Sequence, residues 1–260
     1  QIRNIGTQVR PDRQMLMWSA TWQRDVKILA KEFVNRPVKI IINKADELKA
    51  NTKIEQEVIV VKSQEQKHTE LKGLLKRVRK ANPGASRTMI FVNRKVTADK
   101  ILKDLKGIGY RVLAIHGDLN QKKRENAVMD LRIDPEAVMV ATDVAARGLD
   151  IRALACVVNF DLPRLLDQYV HRIGRTGRAG STGLAVSFFF PRDDQKIAKK
   201  LIKCMKEAGQ KPSYELCKIV NQSKKELDKE KKEEEKKGKK GQNKFGLKMQ
   251  RSQGSKGKQK

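Results

Sequence analysis

From residue 54 onward, short apolar runs alternate with longer amphipathic stretches. The runs at 57–61, 88–92, 111–115, 137–141, 155–160 and 184–190 read as strands. The stretches near 66–80, 97–107, 121–132, 164–172 and 193–208 carry apolar residues at helical spacing. Gly109 and Pro163 punctuate the joints between them. The strand runs are apolar at successive positions, so both of their faces need cover. Strands of that kind, alternating with helices, predict an α/β fold: a parallel sheet with helices on both faces. No internal repeat is visible.

The first 44 residues have a different rhythm. A basic loop leads to a short apolar run, Met15–Trp18, read as a strand and closed by Ser19-Ala20-Thr21. Val26, Ile28, Leu29, Phe33 and Val34 then follow near-helical spacing, Pro37 ends that helix, and Val38–Ile42 reads as a buried strand. This is too little to fold alone, so 1–44 reads as the closing part of a preceding domain. Residues 45–53 are polar and aperiodic, a linker. The folded domain is 54–222. From 223 to 260, Lys, Glu, Gly and Gln dominate and apolar residues nearly vanish. Ser223–Lys237 is compatible with a charged helix, and the rest has the composition of a disordered tail.

Charge narrows the function. Lys and Arg number 58 against 30 Asp and Glu, a net of +28. The tail holds 15 basic and 6 acidic residues, +9, which leaves +19 on the remaining 222. A neutral domain with a basic tail is therefore excluded, and a polyanion partner, most often nucleic acid, is expected. Cys156, Cys204 and Cys217 form no CxxC pair, and there are only three His, so neither a disulfide framework nor a structural zinc site is expected. That cysteine usage suits a reducing compartment. No apolar run approaches ~18 residues, so no membrane span is expected, and no signal peptide is seen. The sequence opens on Gln1, mid-pattern, and is read as a fragment.

In open parallel sheets, ligands sit at the carboxyl ends of the strands, and the unusual residues are placed there. His116-Gly117-Asp118 follows one strand, and Thr142-Asp143-Val144-Ala145-Ala146-Arg147-Gly148-Leu149-Asp150 follows another. The helix from about Leu165 runs into His171-Arg172-Ile173-Gly174-Arg175-Thr176-Gly177-Arg178. Glycine lets backbone approach a ligand, and Arg makes forked bonds to phosphate oxygens. Arg175 and Arg178 are three apart, so on a helical turn they share a face and suit a clamp on a polyphosphate. The plain alternative is a solvated basic helix end, favoured by the helix dipole.

The octet 171–178 is identical to motif VI of the DEAD-box RNA helicases. Ser19-Ala20-Thr21 resembles that family's motif III, and Ile90-Phe91-Val92-Asn93 its motif IV. His116-Gly117-Asp118 with Gln121 and Arg124 resembles the HGD…QxxR segment, and 141–151 resembles motif V. Five motifs in the family's order cover about residues 15–190. No GxxxxGK[ST] phosphate loop and no Asp-Glu-Ala-Asp occurs in the 260 residues. The resemblance therefore implies the end of a first RecA-like domain, a linker, a complete second RecA-like domain and a tail.

The resemblance also implies roles. Arg175 and Arg178 would be arginine fingers on the γ-phosphate of ATP, and His171 would couple motif VI to the DEAD box. Asp150 would reach the nucleotide ribose. Mg²⁺ ligands would lie in the first domain. Ser19 and Thr21 would link the two domains, or simply cap a helix. Gly117, Thr142 and Gly148 would give RNA phosphates backbone or hydroxyl donors, Arg124 would add charge, and Gln121 would orient it. Phe91 is read as core rather than a stacking platform. RNA binding would be largely independent of sequence. Trp22-Gln23 departs from the Trp-Pro of many relatives and loosens the next helix start, while Arg94 after motif IV puts little in doubt. The pattern Met17–Trp22 resembles the nuclear RNA-processing branch, which implies a nuclear or nucleolar location. The function implied is ATP-dependent RNA unwinding or RNP remodelling. The rival is a nonenzymatic RNA-binding module that keeps only the second domain's surface.

Overall fold

The computed structural model describes residues 2–19, 22, 24–41, 50–143, 151, 154–178 and 180–222. The chain divides into two compact units, 1–48 and 49–260.

The larger unit carries six strands: β1 (Ile54–Val60), β2 (Thr88–Val92), β3 (Val112–Ile115), β4 (Val138–Thr142), β5 (Cys156–Asn159) and β6 (Gly183–Phe189). They form one sheet in the order β1-β6-β5-β2-β4-β3, and every pair is parallel. Helices α3 (Gln64–Ala81), α4 (Lys95–Lys106), α5 (Gln121–Ile133), α6 (Leu166–Ile173) and α7 (Pro191–Glu207) connect or follow them, and residues 214–222 are also helical. The last helical stretch is not among the elements expected from the sequence. Each strand run and each helical run expected between residues 54 and 208 is present, with ends shifted by a few residues.

The central strands are apolar on both sides because both sides are covered. Ile90, Val92, Val138, Val140, Val158 and Val186 pack against Leu71, Leu75 and Val78 of α3 and Ile101 and Leu105 of α4. The alternate residues Met89, Phe91, Met139, Ala141 and Val157 face Ala127 and Leu131 of α5. On that second side, Ile54, Val58, Ala185 and Phe189 meet Tyr169 and Ile173 of α6 and Leu201 of α7. The strand period of two sends neighbouring residues to different clusters.

Helix starts are set by local chemistry. The Ser63 side chain accepts from the Gln66 N–H to open α3, and Asn120 accepts from Lys123 N–H to open α5. Pro191 occupies the first turn of α7, where its missing N–H costs nothing. Three residues on, Asp194 reaches back and accepts the Phe190 N–H at 2.8 Å.

The smaller unit corrects three expectations. Residues 2–8 are not a loop but a helix, α1 (Ile2–Gln8), and α2 spans Arg24–Phe33. Arg3 and Glu32 join these two helices through paired bonds of 2.7 and 3.0 Å. Neither Met15–Trp18 nor Val38–Ile41 forms a strand. Apolar runs become strands only when a neighbour accepts their backbone bonds, and no strand is found among the described residues of 1–48. Trp18, Val38 and Ile40 are correspondingly at least 80% exposed. Ile42, the proposed linker up to residue 49, and the tail from 223 lie outside the described residues.

Asp194 yields a pH prediction. Burial pushes its carboxyl up from the ordinary 3.8 to about 6, opposed by the Phe190 N–H bond and the Lys67 charge and assisted by Asp193 and Asp161. The folded state then holds this proton more tightly than the unfolded chain. The stability linked to it is present below about pH 4 and is lost as the pH rises to about 6. Asp194→Asn keeps an acceptor for Phe190 and removes the charge. Urea midpoints should therefore favour the variant progressively more between pH 4 and 6, with a constant difference above. An unchanged difference across that range would refute the shift.

Candidate functional site

Helix α6 presents Tyr169, Arg172 and Ile173 inward, at the spacing of one helical face, while His171 is exposed. Arg172 is the unexpected member, at 2% exposure. A guanidinium has five N–H donors, and here every one has an acceptor. Nε and Nη2 grip both carboxylate oxygens of Asp143 at 2.6 and 2.7 Å. Nη2 also donates to Asn93 Oδ1 at 3.0 Å. Nη1 donates to the Asp161 carbonyl at 2.7 Å and to Asn159 Oδ1 at 3.3 Å. The group lies 5.2 Å from the Phe91 ring centroid, a cation–π contact in a dry setting. Phe91 is thus core, as expected, with its ring against a buried cation.

The acceptors come from the carboxyl ends of three adjacent strands, β2, β4 and β5. A second set of bonds holds them. Asn93 donates from its side chain to the Leu162 carbonyl at 3.0 Å and from its backbone to Asp161 Oδ2 at 3.1 Å. Lys67, itself buried, donates to Asp161 Oδ1 at 3.0 Å. Asn159 donates to Ser187 Oγ at 3.0 Å, which brings in β6.

The loop after α6 carries the two arginines expected to meet phosphate. Helix α6 ends at Ile173, with Gly174 as its cap. Arg175 and Arg178 therefore lie in a turn and do not share a helical face, a correction to the spacing argument. What places them is the bracing of the turn. Thr176 is buried and its hydroxyl donates to the Leu154 carbonyl. Gly177 has φ +64°, and Asn51 Nδ2 donates to its carbonyl at 3.0 Å. A Cβ on Gly177 would stand 2.7 Å from Ile54 Cγ1, so glycine is needed for both conformation and space. Ile54 opens β1, and Leu154 lies just before β5. The turn therefore sits by the amino ends of strands, whereas Arg172 reaches the carboxyl ends. The octet expected as a whole at the carboxyl ends is therefore divided between the two ends of the sheet.

Arg178 Nε donates to the Gly174 carbonyl at 2.9 Å, at the negative end of α6. Arg175 is half-buried, and burial, then the Arg178 charge, lowers its pKa from the ordinary guanidinium value. Two cations held close and partly desolvated form a locus that an anion would stabilise.

The remaining residues are spread along the carboxyl edge. Gly117 is exposed in the turn after β3, and Thr142 ends β4, partly buried. Gln121 opens α5, and its amide donates to Glu125 Oε1 at 2.8 Å. Arg124 lies in the first turn of α5, partly buried. Nearby, Asp118 pairs with Lys95 at 2.6 Å. Ser19, exposed in the smaller unit, is five residues before α2 and too early to cap it. Thr21, Gly148 and Asp150 lie outside the described residues. Sequence reasoning missed Arg172, Asp143, Asp161 and Lys67 as a network. One signal was available: Arg172 falls in the apolar stripe of α6, with Tyr169 and Ile173.

Arg172→Lys tests the network. Lysine keeps one charge but only three donors without the planar fork. Asp143 and the Asp161 carbonyl would lose partners beside a group that is itself 2% exposed. The larger unit should lose about 3–5 kcal/mol, the scale of a broken buried ion pair. Denaturant unfolding followed by far-UV circular dichroism measures this. A loss below 1 kcal/mol would show that the five bonds are not what holds these strand ends.

The sequence profile of the helicase conserved C-terminal domain matches residues 66–180. The DEAD-box ATP-dependent RNA helicase 30 of Arabidopsis thaliana is 45% identical over 223 residues, 86% of this chain and 36% of that protein. Among solved structures, S. cerevisiae Dbp5 bound to RNA and ADP BeF3 is 30% identical, with a TM-score of 0.65 over 85% of this chain and 57% of that one. The E. coli DEAD-box protein SrmB, solved bound to regulator of ribonuclease activity A, is 38% identical, with a TM-score of 0.51 over 56% of this chain and 83% of that one. The chain spans well under half the length of the curated relatives it matches, 36% and 42% in two plant cases. Identity at that level along most of a solved DEAD-box chain goes beyond shared topology: this chain belongs to the DEAD-box ATP-dependent RNA helicase family, and most of it is the six-stranded, RecA-like helicase C-terminal domain.

Proposed function

We propose that this chain supplies the second RecA-like domain of an ATP-dependent RNA helicase or RNP remodeller. The observation that carries the reading is the braced turn holding Arg175 and Arg178, joined through Arg172 to strand ends beside Thr142 and Asn93. Arg175 and Arg178 would hold the terminal phosphates of ATP, and Asp150 the ribose. ATP would supply a phosphoryl group whose transfer drives opening and closing of two domains. A planar fork on each arginine suits charge that spreads over several phosphate oxygens. Gly117, Gln121, Arg124 and Thr142 would face RNA phosphates. His171, being exposed, is available to a neighbouring domain.

The phosphate loop and the Mg²⁺ ligands would come from a first RecA-like domain. Among the described residues, no cluster of three His, Cys, Asp or Glu side chains could hold a metal ion. The exposed apolar run at Val38–Ile41 supports reading 1–44 as the closing part of that first domain and 45–53 as the linker. The absence of GxxxxGK[ST] from these 260 residues favours a second reading for the chain by itself, a nonenzymatic RNA-binding module. No helix among the described residues is long and apolar enough to cross a membrane.

The purified chain should therefore hydrolyse no ATP above background. Joined to a first RecA-like domain, it should show RNA-stimulated ATPase activity. There, Arg178→Lys should cut kcat by about 10³ while RNA affinity changes little, as for a contact realised in the transition state. Arg124→Ala should weaken RNA binding first, with ATPase partly recovering at saturating RNA. Steady-state ATPase against RNA concentration separates the two. Identical profiles for both variants would overturn the division into a nucleotide face and an RNA face.

A further inference from the structure

A separate basic cleft lies on the other side of the sheet. It measures about 620 Å³ and is lined by Lys72, Lys76, Arg79 and Lys80 of α3 with Ile108 and Tyr110, which follow α4. Helices α3 and α4 cover one face of the sheet, whereas α5 and α6, with the candidate residues above, belong to the opposite face. Ile108 and Tyr110 precede β3, so the cleft sits toward the amino ends of strands, away from Gly117 and Thr142.

Its charge is costly for a surface with no ligand. Lys72, Lys76 and Lys80 are spaced i, i+4, i+8, which places like charges on neighbouring turns. No carboxylate among the described residues pairs with any of the three. The helix dipole favours cations in the last turn, which covers Arg79 and Lys80 but not Lys72 or Lys76. The one anchored cation, Arg79, is fixed on two sides. It bonds Glu136 at 2.9 Å and lies 5.3 Å from the Tyr110 ring centroid. Glu136 also accepts the Gly84 N–H at 3.2 Å, which ties the end of α3 to the loop before β4. Arg79 and Tyr110 thus meet in the cleft, with Ile108 46% exposed beside three ammonium groups that have no carboxylate partner among the described residues.

We propose that this cleft is a second RNA-binding surface, taking the phosphates of a single strand along Lys72, Lys76 and Lys80. Spaced point charges suit a repeating phosphate chain, and ammonium groups grip it without reading sequence. The aromatic and aliphatic floor suits bases. RNA is favoured over an acidic protein because the whole domain is basic outside this cleft too. A strand held on the carboxyl edge would then meet the cleft at high effective concentration. The site goes beyond the helicase reading and does not require ATP.

The test uses the full chain and a 20-nucleotide oligouridylate carrying 4-thiouridine. Irradiation should crosslink the segment 107–111, and Lys72→Ala/Lys76→Ala/Lys80→Ala should abolish that crosslink. Alanine preserves helix propensity at these sites. With three phosphate contacts removed, the slope of log affinity against log salt should become shallower by about 2. Lys196→Ala/Lys199→Ala/Lys200→Ala, an equal charge change on α7, should alter it by less than half as much. Equal slopes for the two triple variants, with no crosslink at 107–111, would overturn the proposal. So would protection of the cleft by a polyglutamate peptide without any RNA crosslink, which would mark it as a protein-docking surface. If Arg124→Ala weakens RNA binding while the cleft variant does not, the helicase reading stands and only the second surface falls.

Discussion

One guanidinium organises the carboxyl ends of the central strands. Arg172 is removed from water, and a bare buried charge there would cost several kcal/mol. The cost is offset because all five donors are met and a carboxylate faces it in bidentate geometry. Its acceptors end three different strands, so the charge can be satisfied only when β2, β4 and β5 are in register. Asp143, Asn93 and Asp161 are each held by further bonds or by a strand end. The network is therefore a constraint on geometry more than a source of net stability.

That constraint links two regions that differ in chemistry. Arg172 belongs to the same short segment as Arg175 and Arg178, and the turn between them is locked by Thr176 and by the positive φ of Gly177. A displacement of Asp143 or Asn93 at the carboxyl edge cannot leave the arginine turn untouched, because the same helix end carries both. Buried cations and surface cations are treated in opposite ways. Arg172 and Lys67 are fully engaged inside the fold, while Lys72, Lys76 and Lys80, farther along the same helix as Lys67, have no carboxylate partner among the described residues.

Much of the fold was legible as pattern. Strands β1 to β6 are short apolar runs between helical periods, and a sheet covered on both faces demands that pattern whatever the neighbours are. The same reasoning failed for Met15–Trp18 and Val38–Ile41, which read as strands but have no partner strand among the described residues. Strand formation is a property of pairs, and hydrophobicity reports only one member. The octet 171–178 was legible as a family motif by residue type. Its internal division was not, since residue type does not say that α6 turns Arg172 inward while Arg175 and Arg178 fall in the turn beyond the helix end.

The sequence alone determined the alternation of strand and helix, the net charge of the folded part, and the order of motifs that marks the family. Those properties are local or additive, and need no knowledge of what touches what. Tertiary structure alone decided that Arg172 is buried and Arg175 only half so, that Asp161 serves both Lys67 and Asn93, and that Asp194 holds its proton to about pH 6. It also placed Lys72, Lys76 and Lys80 beside Tyr110. These outcomes depend on which atoms exclude water from which charges. Exclusion is fixed by packing between segments that lie 11 to 94 positions apart in the network of Arg172 and Lys67, a separation over which no periodicity in the chain carries information.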